Sequence, residues 1–263
     1  MKSDPKETYA PMKKSIGILL MAFLFAACGG GSTAEKKDKP LTADDHFQLA
    51  YKAAERGNLE EATAEYEQVL KMNPKSAEAH LNLGMVYGRQ GKPDKELSEY
   101  KKALGINPNF AEAYFHMGLN YYERIKFDEA IAQYRKALEI NPNYVEAQNN
   151  LGIAYFRLGE LDKALAAYQK TIEVKPDYAR GHFNIGSVYL QQGKTVEAAT
   201  SFERALQINP KYGEAHYYLA WIDYKKKDFP SAIQHCDLAG KLGMVVDPAF
   251  LEALKPYREG AKK

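Results

Sequence analysis

Apolar residues in the middle of this chain recur with helical spacing and break off at regular intervals. Leu151, Gly152 and Tyr155 fall at i, i+1 and i+4, and Ala164, Tyr168 and Thr171 at i, i+4 and i+7. Each set therefore lies along one face of a helix. Between the two sets lies Leu158-Gly159-Glu160, with glycine where a helix should end. The pattern predicts helix, short turn, helix, and then a second turn closed by proline. Pro40, Pro74, Pro108, Pro142, Pro176 and Pro210 stand 34 residues apart, and all but one of the last five follow asparagine, the exception being Lys175 before Pro176. Proline donates no amide proton and disfavours helix at the residue before it, so it fixes where each unit stops. A fixed period of this length means one two-helix unit copied and stacked, and it predicts an all-α fold with no single globular core.

Small and large residues keep the same period. Gly84, Gly118, Gly152 and Gly186 recur on the first helix, and Ala130, Ala164, Ala198 and Ala232 on the second. Large partners recur beside them: Tyr87, Tyr121, Tyr155 and Tyr189, then Tyr100, Tyr134, Tyr168 and Phe202. A small side chain lets two helices approach, and the neighbouring ring fills the space. No unit can bury its apolar face alone, so stacking is obligatory.

His80-x-x-Leu83-Gly84-x-x-Tyr87, Glu96, Tyr100 and Pro108, repeated in phase along the flanking copies, resemble the tetratricopeptide repeat (TPR) family. The resemblance covers six copies over residues 42–246 and implies a right-handed TPR superhelical solenoid. The outer copies depart from it. The first has Ala50 and Ala53 where inner copies have glycine and tyrosine, and the last has Ala220, Asp223 and Met244 in place of glycine, tyrosine and proline. Terminal repeats commonly deviate in this way. Phe250, Leu251, Leu254 and Tyr257, opened by Asp247-Pro248, predict a capping helix and tail over residues 247–263.

The N-terminus carries a different pattern. Met12-Lys13-Lys14 precedes an apolar run from Ser15 to Ala27, 13 residues long and too short to span a bilayer as a helix, followed by Cys28-Gly29-Gly30-Gly31-Ser32. This reads as a signal peptide over residues 1–27. The polar stretch before Met12 fits that reading poorly and makes Met12 the expected true start. Leu24-Phe25-Ala26-Ala27-Cys28 resembles the bacterial lipobox, with Phe25 replacing the usual leucine. The resemblance implies lipidation of Cys28, and Gly29 after it implies the periplasmic face of a Gram-negative outer membrane. Residues 28–41 then form a flexible tether, with a root-mean-square reach of about 20 Å.

The whole chain has a net charge of +2; without residues 1–27 it holds 32 basic and 32 acidic residues. That balance, with no basic stripe bearing aromatics, argues against nucleic acid. With Cys28 lipidated, Cys236 stands alone at a slot otherwise filled by tyrosine or phenylalanine, so a buried inert thiol and no disulfide are expected. His46, His80, His182 and His216 share one repeat position, as do Tyr114 and Gln148. Equivalent positions in stacked units lie too far apart for ligand bonds of about 2 Å, so no metal is expected. Carboxylates on the helices read as solvated faces. No phosphate loop, nucleophile elbow, HExxH or CxxC is present, and no cofactor or catalytic residue is expected.

In TPR arrays the first helix of each copy lines a groove. The resemblance places Phe47, Tyr51, Leu81, Met85, Phe115, Leu119, Tyr122, Ile153, Phe156, Phe183, Leu190, Tyr217, Trp221 and Tyr224 there, with Asn82, Asn150 and Asn184 as a partial ladder for a peptide backbone. His116 and Tyr218 interrupt that ladder. The carboxylate clamp of chaperone-binding members is missing: its paired slots read Leu81/Met85, Phe115/Leu119, Asn149/Ile153 and Phe183/Ser187. What remains is an apolar, aromatic strip suited to a helix or extended peptide of a protein partner, with Trp221 as its anchor. Lipid-anchored members of similar architecture help assemble type IV pilus secretins and other envelope machines, which implies envelope partners. The alternative is a self-associating lipoprotein whose groove packs on another copy.

Overall fold

The structure is a computed structural model that describes residues 40–260. The signal peptide, Cys28, and all of the tether but its last two residues lie outside the described residues. Among those described, every element is helical, and no helix is long and apolar enough to cross a membrane. Contacts divide the chain into two compact units, one ending at Pro74 and the other beginning at Lys75.

The first unit contains α1 (Ala43–Glu55) and α2 (Leu59–Met72) packed on each other. The Thr42 side chain caps α1, accepting from the Asp45 amide, while the Asp45 carboxylate accepts from the Thr42 amide. Ala50, Ala53, Ala62, Tyr66 and Val69 form its buried face.

The second unit runs α3 (Ala77–Arg89), α4 (Pro93–Ile106), α5 (Ala111–Glu123), α6 (Phe127–Ile140), α7 (Val145–Arg157), α8 (Leu161–Val174), α9 (Ala179–Gln191), α10 (Thr195–Ile208), α11 (Gly213–Lys225), α12 (Phe229–Lys241) and α13 (Pro248–Gly260). Each helix packs on the next, and α3 also touches α5, as α7 touches α9. This is the predicted stack of helix-turn-helix units. The small residues do what the pattern demanded. A Cβ built on Gly84, Gly118 or Gly152 would sit 2.5 Å from a ring carbon of Tyr100, Tyr134 or Tyr168, three rings with no exposed surface.

The turn inside each unit is fixed by one left-handed residue. Gly57, Gly91, Ile125, Gly159, Gly193 and Lys227 stand 34 apart and all have φ between 61° and 81°. Glycine takes that conformation freely, whereas Ile125 and Lys227 take it against their Cβ. At the end of the array α13 packs with Phe250 and Leu254 against Ala220, Ala232 and Cys236.

Candidate functional site

Four of the first helices present one half-buried apolar side chain in the last turn, whereas the same position holds the buried Ala54 on α1 and Gly88 on α3. The four, all in the second unit, are Tyr122 on α5, Phe156 on α7, Leu190 on α9 and Tyr224 on α11, spaced 34 residues apart. The row ends at Trp221, one turn before Tyr224 and one turn after the half-buried Tyr217. Trp221 is the chain's single tryptophan and is 39% exposed. Lys225 Nζ lies 5.1 Å from its ring centroid, a cation–π contact that leaves the rest of the indole open. Tyr217 and Tyr224 both meet Phe250 edge-on, at 6.1 and 5.6 Å between ring centroids, so α13 fixes the floor beside Trp221. Burial raises the hydroxyl pKa of Tyr122 and Tyr217, with Arg157 pulling Tyr122 back in part. Both rings therefore stay neutral donors at physiological pH.

The structure narrows the strip read from the sequence. Leu81, Met85, Phe115, Leu119, Ile153 and Phe183 are buried, with only 5–8% of their surface exposed. Phe115 packs on Tyr134 and Tyr144, and Phe183 on Phe202, Tyr212 and Tyr218, so these rings hold successive units together. The asparagine ladder is consumed in the same way. Asn150 Nδ2 donates to the Glu146 carbonyl of its own helix at 2.8 Å, and Asn184 Nδ2 donates across units to Asn149 Oδ1 at 2.9 Å, with both side chains buried. Asn82 is half-buried. In the first unit Phe47 meets Tyr66 edge-on and Tyr51 donates to Glu55, and both remain partly exposed.

Reading the carboxylates as solvated missed a set of polar pairs that are partly or fully buried. His46 Nδ1 donates to Glu65 at 2.5 Å and His80 Nδ1 to Glu99 at 2.6 Å; Glu99 also receives Lys102 at 2.7 Å. In the last unit the partner is another imidazole, with His216 Nδ1 lying 2.8 Å from His235 Nδ1. His216 Nε2 donates to the Pro210 carbonyl, so its Nδ1 accepts from His235. Burial, then His216, lowers the pKa of His235. The signal available in the sequence was the constant offset of 19 residues between these partners. Glu96 is the second exception. It takes the small-residue slot of Ala130, Ala164 and Ala198, is 1% exposed, and accepts from Tyr100 Oη and Asn120 Nδ2, both at 3.0 Å. Cys236 is buried, and burial raises its pKa, as its slot predicted.

Models of the TPR repeat match residues 51–91, 118–159 and 154–193, and models of the tetratricopeptide repeat match 77–110 and 179–212. No curated protein matches the chain. Among solved structures it is similar to a MamA protein, at 31% identity over 65% of this chain and 94% of that one, with a TM-score of 0.58. It is also similar to PilF of Pseudomonas aeruginosa, at 20% identity over 73% of this chain and 88% of that one, with a TM-score of 0.67. A third is YrrB, described as a TPR protein with an unusual peptide-binding site, at 24% identity over 66% of this chain and 90% of that one, with a TM-score of 0.55. The likeness to PilF and YrrB speaks to the fold alone. The repeats matched by family models, in phase with the 34-residue period and with the helices, show that this chain belongs to the tetratricopeptide repeat family.

Proposed function

We propose that this protein is a non-catalytic docking scaffold that holds a peptide or amphipathic helix of a partner protein along the row Tyr122, Phe156, Leu190, Tyr224 and Trp221. The observation that carries this is the row itself. It is one half-buried apolar side chain on each of α5, α7, α9 and α11, ending at the exposed Trp221. Half-buried aromatic side chains on a rigid helical frame suit a partner with apolar residues at helical or extended spacing. Site-specific photocrosslinkers at positions 156 and 221, with position 196 on α10 as an exposed control, test it. Adducts to one partner segment from 156 and 221 but not from 196 support the reading; equal adducts from all three overturn it.

We also propose that the scaffold is held at the periplasmic face of an outer membrane by lipid on Cys28, where it assists assembly of an envelope complex. Support comes from the apolar run ending in Ala26-Ala27-Cys28 and from Gly29 after it. Palmitate labelling that vanishes in Cys28→Ser, with release of the protein from membranes, is the expected result. A Cys28→Ser variant that stays membrane-bound and labelled contradicts it. A second reading, self-association, draws on the partly exposed Leu251 and Tyr257 of the terminal α13. Light scattering that reports a dimer in wild type and a monomer in Leu251→Asp would favour it.

A further inference from the structure

Two copies join their two helices through a His–Glu pair, His46/Glu65 and His80/Glu99, and a third through the His–His pair His216/His235, whereas the other three lack such a bridge. At these two positions the third copy carries Tyr114/Gln133, the fifth His182/Ser201 and the fourth Gln148/Ala167, whose alanine is the smallest residue at the second position in any copy. Ala167 is too short to reach across. Its absence of bulk coincides with an open cavity of about 500 Å³ among α6, α7 and α8. That volume is within the range of sites that hold small ligands or peptide side chains, roughly 300–1,000 Å³.

Gln148, Leu151, Tyr155 and Ala167, all buried, line the inner part of the cavity. Gln148 is 8% exposed, and no protein group hydrogen-bonds its side-chain amide among the described residues. The amide lines the open cavity, where water or a ligand can complete its hydrogen bonds. At the rim stand Arg135, Lys163 and Lys170 against one acid, Glu139. Lys163 is already matched by Glu160 at 2.8 Å. Arg135 and Lys170 have no carboxylate within ion-pair distance among the described residues. Arg135 is nonetheless held in place: its Nη2 donates to Tyr155 Oη at 2.5 Å, and its guanidinium lies 5.8 Å from that ring's centroid. Its other guanidinium donors remain without a carboxylate, and a guanidinium's planar fork matches a carboxylate.

We propose that this cavity is a second binding site, separate from the apolar row, which takes an acidic segment of a partner protein: a Glu or Asp side chain on Arg135 and the Gln148 amide, with an adjacent apolar side chain against Leu151 and Ala167. Gln148, Leu151 and Tyr155 fall at i, i+3 and i+7 of α7, a different stripe from Phe156, so the two sites can be filled together.

The test uses the purified protein labelled with ¹⁵N and three probes: acetyl-Leu-Glu-Glu-Leu-amide, its Leu-Gln-Gln-Leu counterpart, and inorganic phosphate. The expected result is a saturable shift of the Gln148 side-chain amide and Arg135 Nε signals with the acidic peptide. The Gln peptide should bind at least about tenfold more weakly, the gap expected for charge-assisted hydrogen bonds. Ala167→Glu, which supplies the residue standing at Glu65 and Glu99, should abolish the shifts. Arg135→Ala, a substitution at an exposed position, should weaken binding by a similar factor of about ten and decides the matter if Ala167→Glu does not fold. Equal binding of the Gln peptide, unchanged binding by Arg135→Ala or by a folded Ala167→Glu, or phosphate shifting the same signals as strongly as the peptide would overturn the proposal.

Discussion

Glu96 and Asn120 offer the sharpest test of how neighbouring repeats recognise each other. The equivalent pairs in other copies are Ala130/Ala154, Ala164/Val188 and Ala198/Ile222, all apolar. Here a carboxylate 1% exposed accepts from Tyr100 Oη and from Asn120 Nδ2, which also donates to the Pro93 carbonyl at 2.9 Å. Replacing Glu96 by Ala strands the fully buried Tyr100 hydroxyl and half-strips Asn120, which should cost about 1–3 kcal/mol even after relief of the buried charge. Asn120→Val alone removes a charge-assisted bond from a buried carboxylate and should cost about 2–3 kcal/mol. The double variant Glu96→Ala/Asn120→Val rebuilds the apolar pairing of the other copies and should fall within roughly 1 kcal/mol of wild type. Urea unfolding followed by circular dichroism, with hydrogen exchange across α4 and α5, gives the coupling energy, expected near 2–3 kcal/mol. If the double variant loses the sum of the single losses, the pair is not an interchangeable junction and the reasoning fails. A positive result would give the pair one role, marking which repeats belong side by side, since every other junction in the second unit is apolar at this point.

Three further outcomes follow from particular residues. Ile125 is 74% exposed and holds φ at 61°, so Ile125→Gly should raise stability by roughly 0.5–1 kcal/mol in urea melts, and a loss would contradict the strain assigned to it. His235 has a pKa below the ordinary 6.5 because of burial and His216, so the unfolded chain takes the proton first as pH falls. Its contribution is intact above pH 6.5 and is lost on acidification, whereas His235→Glu, which copies the His46/Glu65 pairing, should melt less steeply with falling pH in thermal scans between pH 7 and 5. Cys236, 1% exposed with its pKa raised first by burial, should react with a thiol reagent only as fast as the protein opens, and immediate labelling of native protein would refute its burial.

The helices and their turns were legible because the period fixes them: proline closes every copy but the last, and glycine or its replacement at the 34-residue spacing sets each inner turn. What the sequence did not reveal is which first-helix positions the next unit covers. Phe115 and Trp221 look equally suited to a groove, yet Phe115 is packed among α5, α6 and Tyr144 of the following turn, while Trp221 stays 39% exposed. The buried carboxylates were missed for a related reason. Glu99 and Glu96 are hydrophilic in isolation, and only their distance-19 and distance-24 partners, His80 and Asn120, make burial tolerable. The cavity beside Gln148 sits at the copy whose residue at that offset, Ala167, is the smallest of the six.

Trp221 makes the central claim directly measurable, because it is the single tryptophan and ends the proposed binding row. Its fluorescence should be recorded while the partner segment captured by crosslinking is titrated into the purified protein. The account predicts a blue-shifted emission and loss of acrylamide quenching that saturate with binding and disappear in Phe156→Ala. Tight binding with the Trp221 spectrum and quenching unchanged would place the partner elsewhere and contradict it.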